Sequence, residues 1–179
     1  MPHRPGATIL TESPTPTNPI QYRIGDATRP EAAGNKIIVH ICNDVGGWGA
    51  GFVLALSKRW QAPEREYRRW FRDNPAHDFE LGAVQLVRVE ADIYVANLIG
   101  QRDIRSVGGR PPIRYEAVRS GLARLREQAL GLSASVHMPR IGCGLAGGRW
   151  EEIEVIVREE LSLHDIAATV YDLALLRSG

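Results

Sequence analysis

Two short segments hold the residues whose types and spacing could do chemistry: Gly46-Gly47-Trp48-Gly49-Ala50-Gly51 and Ile141-Gly142-Cys143-Gly144-Leu145-Ala146-Gly147-Gly148. Together they contain eight of the chain's 18 glycines. Each follows an apolar run and precedes a helical pattern. Glycine lets the backbone come close to a ligand and point successive N–H groups inward. Such a run of amides forms a concavity for anions, reinforced by the positive end of the helix behind it. Two of them facing one another would clamp a diphosphate from both sides without a basic patch. A lone glycine cluster is usually only a tight turn, and Gly108-Gly109 is read that way.

The two commonest nucleotide fingerprints do not fit. Gly49-Ala50-Gly51-Phe52-Val53-Leu54 lacks the third glycine of the dinucleotide pattern, and no Gly-Lys-Ser/Thr triplet occurs. Cys143, flanked by glycines at an anion nest, has a setting that could lower a thiol pKa. Its only near histidine, His137, falls in a strand pattern, so Cys143 is read as a small loop residue and Cys42 as core. His40, His77 and His164 show no metal-ligand spacing, and no metal site is expected.

The elements that must position these loops alternate between strand and helix. Ile20 to Ile24, Ile37 to Cys42, Ala83 to Val89, Asp92 to Ile99, Ser133 to Met138 and Ile166 to Leu173 read as strands. Phe52 to Leu56, Pro63 to Phe71, Tyr115 to Leu130 and Trp150 to Leu161 read as helices, with Gly131 as the cap of the third. Trp60 and Trp70 read as packing residues, and Arg65, Arg68, Arg69 and Arg72 as a solvated helix face. The alternation predicts an α/β layered fold. In such folds ligands sit beyond the strand C-termini, which is where both glycine loops fall.

Composition bounds the function. The chain has 179 residues, 22 Lys+Arg against 21 Asp+Glu, and a net charge of +1. One domain is expected, spanning residues 20–179 after a proline-rich, disordered leader at 1–19. The charge balance argues against a protein whose main work is neutralising nucleic-acid phosphates. No apolar run approaches the ~20 residues of a membrane span. Two cysteines in apolar or glycine-rich settings fit a reducing, cytoplasmic location better than a disulfide framework. Only Lys36 and Lys58 are lysine, so few lysines are available for catalysis.

At this point the residues resemble the macrodomain family, which recognises ADP-ribose. Gly25-Asp26-Ala27-Thr28 resembles the family's early Gly-Asp-x-Thr motif. Cys42-Asn43 through Gly49-Ala50-Gly51 resembles its first ligand loop, and Met138-Pro139-Arg140-Ile141-Gly142-Cys143-Gly144-Leu145 its second. The second loop, followed by Trp150-Glu151, is close to the branch holding terminal ADP-ribose protein glycohydrolase and a chromatin-remodeller macrodomain.

The resemblance covers residues 20 to 174 and implies a single three-layer α/β/α fold with a mixed central sheet. It implies that Asp26, beside Ala27, accepts from the adenine amino group, the alternative being a turn-capping acid. Amides from Ile141 and Gly142 through Cys143, Gly144, Leu145 and Ala146 would hold phosphates. Gly47, Gly49, Ala50 and Gly51 would approach the pyrophosphate and distal ribose, and Asn43 would bond the ribose hydroxyls. Tyr171 either packs against adenine or belongs to the core. ADP-ribose or ADP-ribosylated proteins are the implied partners, with no separate cofactor. Nothing in the sequence demands more than a monomer.

The branch resembled here uses a lysine and an aspartate for catalysis. Gln101 and Ala146 stand at those places. Three readings stay open. The first is a hydrolase that frees mono-ADP-ribose from Glu or Asp esters by positioning water, with Asn43, Trp48 and Gln101 around the distal ribose. Asp44 is either its base or a loop cap. The second is a reader that binds ADP-ribose without cleaving it. The third is a deacetylase of O-acetyl-ADP-ribose.

Overall fold

The structure is a computed structural model and describes residues 14–174. Residues 1–13 of the expected leader, and residues 175–179, lie outside the described residues. Within 14–19, Thr17 and Asn18 donate side-chain hydrogen bonds to Asp165 at 3.1 and 2.7 Å.

Six strands form one sheet: β1 (Gln21–Ile24), β2 (Lys36–Asn43), β3 (Val84–Arg88), β4 (Ile93–Gln101), β5 (Ser135–Met138) and β6 (Ala168–Asp172). Their spatial order is β1-β6-β5-β2-β4-β3. Every neighbouring pair is parallel except β3 with β4, so the sheet is mixed. Four helices cover it: α1 (Phe52–Arg59), α2 (Ala62–Asp73), α3 (Tyr115–Leu132) and α4 (Trp150–Glu160).

Strand β2 is mostly apolar, as expected of a strand buried on both faces. Ile37 and Val39 pack with Val136, Met138, Leu122, Leu125, Ile153 and Val157 under α3 and α4. Ile38 and Cys42 pack with Val95, Ile99, Leu56, Tyr67 and Trp70 under α1 and α2. The result is a three-layer α/β/α molecule. Each fully buried aliphatic side chain contributes about 2 kcal/mol relative to exposure.

Pro63 sits in the first turn of α2, where its missing N–H costs nothing. The arginines of α2 are solvated and matched locally: Arg68 meets Glu64 at 2.9 Å, Arg65 meets Glu66 at 3.1 Å and Arg72 meets Asp73 at 2.8 Å. The end of α3 departs from expectation. Gly131 lies inside the helix, and Ser133 takes the left-handed cap at φ 48. Leu132 packs against the core and holds the last turn in place.

No helix of the described residues is long and apolar enough to cross a membrane.

Candidate functional site at the strand C-termini

Strands β2, β4 and β5 run parallel and end at the same edge of the sheet. A groove of about 260 Å³ opens there. The first glycine loop supplies Ala50 and Gly51 to its wall, and the second supplies Ile141, Gly142, Gly144, Leu145 and Ala146. Gln101 from the end of β4, and Arg140 beside Ile141, complete its rim.

The amides of this groove are largely uncommitted. Among the described residues, no chain acceptor takes the N–H groups of Gly49, Ala50 and Gly51, or of Gly144, Leu145 and Ala146. Gly51 is the residue before α1 and has no side chain to cap that helix. Its φ of 80 and ψ of −146 belong to a region that only glycine enters without strain. Free amides, a helix N-terminus and close backbone approach together make an anion seat between the loops.

Asn43 and Gln101 face each other across a break in the ladder. The register slips between Cys42 and Asn43, so that Cys42 pairs with Ile99 and Asn43 with Gln101. Such bulges re-aim side chains beside functional sites. Gln101 Nε2 donates to Asp103 O at 2.9 Å, which leaves Oε1 as an acceptor with no partner among the described residues. Asn43 does not line the groove. Its Oδ1 accepts from Val45 N, Gly47 N and the Tyr67 hydroxyl, and its Nδ2 donates to Gly47 O at 2.8 Å. One Nδ2 hydrogen stays uncommitted. Asp44 acts as a loop cap, accepting Asp103 N–H at 2.7 Å.

Trp48, expected near the distal ribose, lies in the α1–α2 core at 5% exposure. Its Nε1 donates to Ser57 Oγ at 2.8 Å, and its ring meets His40 edge-on at 5.2 Å. Gly47 and Gly49 flank it; neither lines the groove itself, and the free Gly49 N–H lies at the margin next to Ala50. Cys143 also stays out of the wall, and burial pushes its thiol up. A raised thiol pKa leaves little thiolate for nucleophilic attack.

Asp26, after β1, caps its own turn with one oxygen. Oδ1 accepts Thr28 N–H and Thr28 O–H, both at 2.8 Å, and Oδ2 lies 3.8 Å from Arg29 Nε. Oδ2 is therefore the oxygen left for a ligand. Ala27 is buried behind it. Tyr171 is 6% exposed, its hydroxyl held between His137 Nδ1 at 2.9 Å and the N–H of Glu31. It sits with the core under the loop after β1, and a Cβ on Gly25 would touch its ring at 3.4 Å.

Two groove residues carried no sequence signal of their own. His40 lines the wall although it is 2% exposed. Both amide hydrogens of Asn97 are spent on Pro63 O and Gln85 Oε1, so Asn97 Oδ1 must accept from His40 Nε2 at 2.6 Å. Burial lowers the His40 pKa to about 4, only partly opposed by the bond to Asn97, so the ring is neutral at pH 7. Arg140 forms a bidentate pair with Asp172 at 2.7 and 2.8 Å and lies over the Tyr22 and Trp150 rings. Lys36 is structural, bonded to Ala32 O, Gly34 O and Asp92, and Lys58 is exposed on α1. No group of three potential metal ligands occurs among the described residues.

No family model matches the chain. It is 32% identical over 161 residues to a chromodomain-helicase-DNA-binding protein 1-like of Danio rerio, across 85% of this chain. The chain spans only 15% of the length of that protein. It is 40% identical over 151 residues to an ADP-ribose 1''-phosphate phosphatase of Chaetomium globosum, covering 75% of this chain and 82% of that one. A solved macrodomain protein from Streptomyces coelicolor is 52% identical and superposes with a TM-score of 0.77, over 86% of this chain and 98% of that one.

Proposed function

This chain belongs to the macrodomain family, and from that premise we propose that it binds ADP-ribose between its two glycine loops and hydrolyses mono-ADP-ribose esters of Glu or Asp on proteins. The observation that carries the reading is the pair of facing loops with uncommitted amides at Gly49 to Gly51 and Gly144 to Ala146. A diphosphate seated there would take its hydrogen bonds from backbone alone, which suits a chain of net charge +1. Adenine would lie toward Asp26, whose Oδ2 is an acceptor for an amino group. The distal ribose would then reach the Gln101 end of the groove.

The chemistry asked of the protein is modest. Water attacks C1'' of the ribose, the C1''–O bond to the acceptor breaks, and the carboxylate leaves with the bonding pair. The proton of the water passes to a phosphate oxygen of the substrate. A carboxylate is a good leaving group, so positioning supplies most of the effect. Gln101 Oε1, which has no partner among the described residues, would orient the water or a ribose hydroxyl. Asn43 acts by holding the first loop, and Trp48 by anchoring that loop in the core. With no lysine or aspartate at 101 and 146, no covalent ribose adduct forms at those positions. Action as a monomer in a reducing cytoplasm belongs to the same reading; the unpaired Cys42 and Cys143 suit the reducing compartment.

Release of ADP-ribose from Glu-, Ser- and Arg-linked substrates, with O-acetyl-ADP-ribose as a fourth arm, tests it. Release from the Glu linkage and not from Ser or Arg is expected. Tight ADP-ribose binding with no release from any arm would replace the hydrolase with a reader. Turnover of the acetyl ester alone would replace it with a deacetylase.

A further inference from the structure

The segment between β4 and α3 forms a hairpin whose charge the groove does not use. At its base Gln101 pairs antiparallel with Ile113, and Arg102 N–H donates to Pro112 O at 2.8 Å. At its tip Val107 and Arg110 exchange backbone hydrogen bonds at 3.1 and 3.0 Å across Gly108 and Gly109. Those glycines have φ of 58 and 75, the two positive values that a tight two-residue hairpin turn requires.

The base of the hairpin is fixed to both glycine loops. Asp44 holds Asp103 N–H on one side, and Ile104 lies over Gly47, where an added Cβ would meet its Cγ2 at 3.3 Å. On the other side Ile113 N–H donates to Ala146 O at 3.0 Å, and Pro111 lies 2.8 Å from where a Gly147 Cβ would be. The hairpin therefore stands at the Gln101 end of the groove, where the bond to the acceptor would be cut.

Arg102, Arg105 and Arg110 are all exposed. Their guanidinium groups make no hydrogen bond or ion pair among the described residues, in contrast to the matched arginines of α2. Arg114, at the base, spends its guanidinium on the carbonyls of Pro111, Pro112 and Ile113. Its pKa is lowered, first by burial and then by the positive charges of Arg110 and Arg102, with Asp44 acting in the opposite direction. The carboxylates at the hairpin base, Asp44 and Asp103, each turn one oxygen to a backbone N–H and form no ion pair with these arginines among the described residues. Between the arginines, Ile104 and Val107 are 54% and 69% exposed.

We propose that this hairpin is an acceptor-binding arm. Arg102, Arg105 and Arg110 receive carboxylates that flank the modified residue of an acidic polypeptide, while Ile104 and Val107 cover apolar side chains of the same segment. The inference rests on the hydrolase reading above and narrows its substrate class. Single-stranded nucleic acid is usually met by aromatic stacking, and no aromatic residue lies between Gln101 and Arg114.

The test is fluorescence anisotropy with peptides carrying ADP-ribose through a hydrolysis-resistant linkage. One is flanked by glutamates and one by lysines; free ADP-ribose and an ADP-ribosylated oligonucleotide are run beside them. The glutamate peptide should bind roughly tenfold tighter than the lysine peptide at low salt, with the gap shrinking as salt rises. The triple variant Arg102→Gln, Arg105→Gln, Arg110→Gln should lose that gap while keeping its affinity for free ADP-ribose. Equal binding of both peptides, or a gap that survives the variant, overturns the proposal and leaves the groove reading standing. Tighter binding of the oligonucleotide overturns it in favour of nucleic acid. Failure to bind free ADP-ribose would instead overturn the groove reading itself.

Discussion

Asn43 grips Gly47 on both sides of its Cα: Oδ1 accepts Gly47 N–H at 2.8 Å and Nδ2 donates to Gly47 O at 2.8 Å. The same oxygen takes Val45 N–H, and the Tyr67 hydroxyl is shared between it at 3.0 Å and Asn43 O at 2.6 Å. One buried amide thus fixes the entry to the first glycine loop. Buried polar groups left without partners cost about 1–3 kcal/mol each. Asn43→Ala should therefore lower unfolding stability by roughly 2–4 kcal/mol and weaken ADP-ribose binding as the loop loosens. Cys143→Ala should change neither by much, because the thiol is only partly buried against the core and its hydrogen bonding is limited to a 3.4 Å contact to Ile141 O. Thermal melts and calorimetric titration of the two variants check this. Equal behaviour of both would remove the clamp role of Asn43.

Gln101→Ala separates turnover from binding. Its amide touches Asp103 O and otherwise faces the groove, while the anion seat is backbone. ADP-ribose affinity should stay within about threefold, and release from Glu-linked substrate should fall roughly ten- to a hundredfold, the range for loss of a water-orienting group. Single-turnover rates at saturating enzyme give the comparison. Unchanged release would show that the water is placed by something else.

Gly51→Ala tests the anion seat. The φ of 80 and ψ of −146 at this position would strain alanine by about 1–3 kcal/mol. The backbone relieves that strain by turning its amide away from the groove. Affinity for ADP-ribose should drop at least about tenfold for each lost charge-assisted hydrogen bond, with the fold retained by circular dichroism. Full affinity in a folded variant would mean that the first loop does not hold phosphate.

How much of this was legible in the sequence follows the range of the interactions. The six strands and four helices show because periodicity is local, and both glycine loops show because glycine after a buried run is local too. Trp48 was read as a site residue from its place inside a glycine loop. Its packing partners His40 and Tyr67, and its hydrogen bond to Ser57, come from three other elements, so only the folded chain reveals it as core. Gly131 looked like the better cap, yet Leu132 found core contacts that extend α3 to Ser133. The 102–110 hairpin showed only its Gly108-Gly109 turn. Its ties to Asp44 and Ala146 cross more than 30 residues in each direction.

Two buried histidines set the acid limit of the fold. Burial lowers His40 to about 4, and burial followed by the charges of Lys36 and Arg23 lowers His137 to about 4. Both start from an ordinary value of 6.5. Between those values the unfolded chain binds protons that the folded chain refuses. Stability is therefore full above pH 6.5 and falls as the pH is lowered toward 4. At 1.36 kcal/mol per pH unit, each histidine removes up to about 2 kcal/mol between pH 6.5 and 5. That window lies above the range where ordinary carboxylates titrate strongly. Urea unfolding at pH 7, 6 and 5 should show the decline. His137→Gln should flatten it by about half, because glutamine does not titrate and can still bond Tyr171 or Ser135 in place of the ring nitrogens. A wild-type midpoint that does not move between pH 7 and 5 would show that these histidines are not held neutral by the fold.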